Sequence, residues 1–101
     1  MIVRVSIGHF APEKAEEVAQ KLSVWEAKLR PAIQALSGNI AYYVAIDKEK
    51  NYMTNVSLWQ TLDHAKQMGS LAEMLAQRTE FEALGVKFIP ITNHEVLWKI
   101  G

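Results

Sequence analysis

From Ile2 to Phe10 the chain alternates, with Val3, Val5 and Ile7 on one side and Arg4, Ser6 and Gly8 on the other. A period of two predicts a strand with one apolar face. Pro12 then suits the first turn of a helix, where a missing N–H is no loss. Val18, Leu22, Trp25, Leu29, Ile33 and Leu36 recur at spacings of three and four, an apolar stripe about five turns long. Pro31 falls inside it and predicts a kink or restart near Arg30. Gly38 is a natural left-handed cap for its end. Ile40 to Ile46 is a run of seven apolar residues, too short and too β-branched for a helix, and predicts a second strand. The charged loop Asp47-Lys48-Glu49-Lys50-Asn51 joins it to a partner strand over Tyr52 to Trp59. Thr61 caps a second helical region, which Gly69 breaks. Ser70 and Glu73 have the spacing of a capping box that would restart it, and Gly85 closes it. After Pro90, Thr92 to Ile100 predicts the last strand.

The order strand, helix, strand, strand, helix, strand places both helices on one face of a four-stranded antiparallel sheet, an α+β domain of split βαβ type. The other face has no cover within the chain. Yet the second strand is apolar on both sides, and Val96, Leu97 and Trp98 are consecutive in the last. A solvated face would alternate to charge, so the pattern predicts an interaction surface. A second copy packed sheet to sheet covers it most simply.

With 101 residues, half of them hydrophobic, the chain makes one domain, residues 1–101, with a real core and no need of a staple. It has no cysteine, which excludes disulfides, thiol nucleophiles and iron–sulfur clusters. Eleven basic and eleven acidic residues leave no net charge, so the clustered positive excess of a phosphate-backbone binder is missing. Neither a signal-peptide pattern nor a membrane-length apolar run is present. The expectation is a cytoplasmic protein without nucleic-acid or membrane partners.

The segment Met53-Thr54-Asn55-Val56-Ser57-Leu58-Trp59, followed by a capped helix, resembles the dimeric α/β-barrel superfamily, a ferredoxin-like βαββαβ fold. More narrowly it resembles the antibiotic-biosynthesis-monooxygenase-like domains, in which a Trp commonly ends the third strand. That resemblance implies a sheet-packed homodimer with a pocket between sheet and helices in each protomer. Within the superfamily, the cofactor-independent quinone-forming oxygenases use an Asn four residues before that Trp and an Arg further along. Asn55 and Trp59 match the first pair, and Arg78 stands where such an Arg would be. Haem-degrading relatives match less well, because they need an Asn where this first strand has Ser6 and a His deeper in the second helix than His64.

The chemistry behind the match is plain. Molecular oxygen reacts slowly with ordinary organic molecules, and a cofactor usually carries that difficulty. A deprotonated, electron-rich aromatic can supply the electron itself, so the expectation is a small aromatic ligand and no cofactor. Asn55 and the Trp59 indole N–H would donate hydrogen bonds to the anion, and Arg78 would favour its ionised form. Ser6, Ser57 and His9 are candidate pocket-lining residues. Each also has an ordinary role: Trp59 as a core or interface aromatic, Asn55 as a satisfied buried amide, Arg78 as a solvated helix residue. His9, His64 and His94 have no metal-motif spacing, and no metal site is expected. Base-stacking aromatics in mid-strand are missing too, which argues against an RNA-recognition module. A cofactor-independent oxygenase, a non-catalytic small-molecule binding or sensing dimer, and a small isomerase or decarboxylase all remain compatible with these residues.

Overall fold

A computed structural model describes all 101 residues. Strands β1 (Ile2–His9), β2 (Asn39–Asp47) and β3 (Tyr52–Trp59) form most of one antiparallel sheet, with β2 at its edge, and helix α1 (Ala15–Gln34) connects the first two. Short helix α2 (Leu62–Lys66), a 3-10 turn at Gln67–Ser70 and helix α3 (Ala72–Ala83) follow β3. Two short strands, β4 (Lys87–Phe88) and β5 (Thr92–Glu95), close the chain. The sheet order is β2-β3-β1-β4, with β5 also paired to β1.

The last strand is thus divided rather than continuous. Lys87 and Phe88 pair with His9 and Gly8, and Thr92–Glu95 pairs with Val5–Ile2. Pro90, which has no N–H to give a ladder, lies between them. Beyond Val96, whose N–H reaches the carbonyl of Met1 at 3.0 Å, β1 has no more backbone to pair with. Residues 97–101 therefore leave the sheet, contrary to the strand expected through Ile100. Leu97, Trp98 and Ile100 are 88%, 78% and 86% exposed.

Helix α1 runs through Pro31 without a restart. The missing N–H removes one bond near the helix end, while Leu29 and Ile33 on either side are buried and hold the turn in place. The expected stripe is the core face: Val18, Trp25, Leu29 and Ile33 pack with Met53, Trp59 and Phe81. Gly38 ends the segment at a φ of 78°, and a β-carbon there would also strike the His64 ring. Thr61 caps α2 by accepting the His64 N–H at 3.2 Å. The capping box at Ser70 does not form: the Ser70 hydroxyl donates back to the Gln67 carbonyl, and α3 starts after Leu71 with no side-chain cap.

Register decides which residues face the helices. In β3, Met53, Asn55, Ser57 and Trp59 are buried, and the residues between them are only partly so. Opposite them on β1 stand Gly8, Ser6, Arg4 and Ile2. Directly opposed residues share a face, so the polar side of β1 turns inward and Val3, Val5 and Ile7 turn outward. Gly8 permits this closely: a β-carbon would lie 2.7 Å from Val86 Cγ1 and 2.9 Å from Phe88 Cε1. The outward face, with Tyr43, Val56 and Leu58 beside the β1 valines, carries no helix, and Tyr43 is 64% exposed.

Candidate active site

The inward polar residues surround a cavity of about 110 Å³ between the sheet and α3. Arg4 and Ser6 come from β1, Tyr42 from β2, Asn55 and Ser57 from β3, and Arg78 from α3. Met68, Met74, Leu75 and Ile91 supply the apolar wall. Leu75 is half exposed, which leaves the cavity a way to solvent. Pockets for drug-sized ligands run to roughly 300–1,000 Å³, so this one suits a single small ring.

Its electrostatics are one-sided. Two guanidinium groups line the cavity, and neither a carboxylate nor a histidine does. Arg78 lies 4.9 Å above the Phe88 ring, with Glu82 3.7 Å from its Nε on the outer side. Arg4 donates from Nη1 to Asn93 Oδ1 at 3.2 Å and pairs with no carboxylate. Burial lowers the Arg4 pKa, and the nearby Tyr42 phenol offsets part of that. Burial likewise pushes the Tyr42 phenol well above its ordinary value, with Arg4 drawing it partly back. Tyr42 is therefore a neutral donor at physiological pH.

Three buried polar atoms have no hydrogen-bond partner: Tyr42 Oη, Asn55 Oδ1 and Gln77 Nε2. Leaving such a group unpaired costs roughly 1–3 kcal/mol, and in native proteins it calls for an explanation. Two of the three belong to this cavity. Gln77 lines a separate, more open groove of about 720 Å³ between α1 and β2, which meets the inner cavity at Tyr42.

Of the residues singled out from the sequence, Asn55, Arg78, Ser6 and Ser57 come together here, and two do not. Trp59 shares the β3 face with Asn55 but is fully buried in the core, and its Nε1–H donates to Ser57 Oγ at 2.8 Å. Its donor is spent on the strand itself. His9 is exposed on the opposite, outward face, 5.7 Å from the Tyr52 ring. Period-two alternation sends it there along with Val5 and Ile7. His64 Nδ1 lies 2.9 Å from the Thr61 hydroxyl, and nowhere do three His, Asp or Glu side chains gather as a metal site requires. Arg4 and Tyr42 were not foreseen. The signal was present in β1, where an arginine alternates with valines, but pairing register was needed to turn it inward.

Solved structures share this fold. A candidate antibiotic biosynthesis monooxygenase from Deinococcus radiodurans superposes with a TM-score of 0.76 at 19% identity, over 100% of this chain and 97% of that one. The fold is that of the antibiotic-biosynthesis-monooxygenase-like proteins. A second candidate of that kind, from Nitrosomonas europaea, has a TM-score of 0.74 at 13% identity, with 97% and 100% of the chains covered. SnoaB, a cofactor-independent oxygenase from Streptomyces nogalater, has a TM-score of 0.68 at 14% identity over 98% and 95%. No family model and no curated protein matches the sequence. No helix is long and apolar enough to cross a membrane.

The Trp59–Ser57 bond should be measurable as coupling. Trp59→Phe and Ser57→Ala should each destabilise the protein, and a double-mutant cycle in urea should return an interaction of about 0.5–1.5 kcal/mol. Additive effects would mean that the indole N–H is free to serve the cavity.

Proposed function

We propose that the protein is a cofactor-independent monooxygenase acting on a single-ring, electron-rich phenol. The observation that carries this reading is the meeting of Asn55, Ser57 and Arg78 around one small cavity that has cationic but no anionic groups. Such a cavity favours the phenolate over the phenol, and preorganised donors hold the anion without reorganisation. Likeness of fold to SnoaB adds support.

The steps follow from the ligand's own electrons. The phenol loses its proton to solvent at the cavity mouth, since no side chain there is a base at neutral pH. The phenolate passes one electron to molecular oxygen, giving a phenoxyl radical and superoxide. These join at a ring carbon and take back a proton from solvent to form a hydroperoxide, and loss of water leaves a quinone. One phenol and one oxygen molecule give one quinone and one water. Arg78 holds the charge that the anion carries before transfer. The Asn55 amide N–H would donate to the same oxygen, and the apolar wall of Met68, Met74 and Ile91 would pack against the ring.

Purified protein should consume oxygen in step with quinone formation on a panel of single-ring phenols and hydroquinones. Asn55→Ala should lower that rate by roughly 100- to 1,000-fold while leaving the fold intact by circular dichroism. The lack of a base in the cavity equally suits a binding or sensing protein. Saturable phenol binding with no oxygen uptake would favour that second reading and end the first.

The outward sheet face belongs to the same proposal. Val3, Val5, Ile7, Val56 and Leu58, with exposed Tyr43 and the apolar tail at Leu97 and Trp98, are best covered by a second copy. A permanent interface of this kind buries on the order of 2,000 Å² or more. Light scattering at micromolar concentration should report twice the chain mass, and a stable monomer there would contradict the assignment.

A further inference from the structure

The cavity is lined by a second guanidinium, that of Arg4, which the proposed oxygenation does not use. Arg4 lies across the sheet from Ser57, half-buried, and no carboxylate of the chain approaches it. Its one side-chain contact, with Asn93, occupies Nη1 alone. Nη2 has no hydrogen-bond partner within the chain and faces the stretch of cavity wall at Gly69, where even an added β-carbon would meet it only at 3.9 Å. Tyr42, one residue along the inward face from Val44 and opposite Ser57, brings a buried hydroxyl with no partner to the same cavity.

An inward guanidinium without a counter-ion is costly to bury unless a ligand completes it. A planar fork of N–H donors matches a carboxylate in two-pronged geometry. A neutral phenol O–H adds a third donor and no competing charge. Arg78 already has Glu82 beside it, whereas Arg4 has no anionic partner, so Arg4 is the group that a carboxylate on the ligand would complete. Building on the proposed phenol site, we infer that the ligand is a phenolic acid of one ring, its carboxylate held by Arg4 and Tyr42 and its phenolate oxygen by Arg78 and Asn55. The cavity, at about 110 Å³ and open past Leu75, limits the ligand to a single ring. Under the oxygenase reading the carboxylate is a handle: it takes no part in electron transfer and fixes which ring carbon meets oxygen.

Calorimetric titration without oxygen separates this inference from the catalytic reading. The probes are 2-, 3- and 4-hydroxybenzoate, each against its neutral hydroxybenzamide. At least one acid should bind about tenfold or more tightly than its amide, the usual advantage of a charge-assisted pair. Arg4→Gln should erase that advantage by weakening the acid about tenfold more than the amide. Arg4→Lys, which keeps charge but loses the fork, should fall between. If every amide binds as well as its acid in the unaltered protein, the inference is overturned without recourse to any variant. It is equally overturned if Arg4→Gln weakens acid and amide alike. Oxygen uptake on neutral phenols with no preference for acids would leave the oxygenase reading standing alone, and acid preference without oxygen uptake would do the reverse.

Discussion

The register between β1 and β3 is the constraint on which the rest of the molecule depends. Arg4 opposes Ser57 and Ser6 opposes Asn55, and a shift of one residue would exchange every inward side chain for an outward one. In the observed register the polar halves of two adjacent strands meet beneath α3. The valines of β1 are spent on the open face instead. A sheet built only for stability would do the opposite, sending Val3, Val5 and Ile7 against the helices. What secures the arrangement lies at either end of the polar patch: Gly8 lets Val86 and Phe88 close tightly over one end, and Trp59 fills the other. Those anchors allow the middle to remain polar, hollow and incompletely bonded.

That incompleteness gives the site its chemical character. Tyr42 Oη and Asn55 Oδ1 are enclosed without partners in the free protein, and Arg4 has only an amide oxygen for company. An anion that accepts from the Tyr42 hydroxyl and the Arg4 guanidinium recovers free energy that folding left unclaimed, so those contacts count for more than similar contacts at a wet surface. The same accounting explains the one-sided charge. With no carboxylate in the cavity wall, an anion meets no repulsion there, and the apolar wall of Met68, Met74 and Leu75 keeps water from competing.

Much of the architecture was legible in the sequence because it rests on local periodicities. The stripe from Val18 to Ile33, the cap at Thr61, the hairpin at Asp47–Asn51 and the alternation of β3 are each visible within a dozen residues. Features that depend on the path of a distant strand were not. Residues from Leu97 onward look like strand by composition, but β1 starts at Ile2 and offers them no partner. Trp59 looked like a donor to the pocket by its place in a motif, yet the nearest acceptor is the serine two residues before it. Arg4 shares the face of Ser6, but alternation alone does not say which face of β1 meets the helices. Only pairing with Ser57 turns it inward, and no local pattern carries that information. Asn55, Ser6, Ser57 and Arg78 were legible as a set because three of them sit on strand faces fixed by alternation and the fourth on a helix packed over them.

The proposed chemistry belongs to the inner cavity, rather than to the larger groove along α1 or the open sheet face. A crystal structure of the protein grown with hydroquinone in the absence of oxygen would decide between these places. The ring should lie between β3 and α3, with one oxygen within hydrogen-bond distance of Asn55 and the Arg78 guanidinium turned towards it. A ring seated between α1 and β2 against Gln77, or trapped between the outward faces of two copies with the inner cavity unchanged, would contradict that placement.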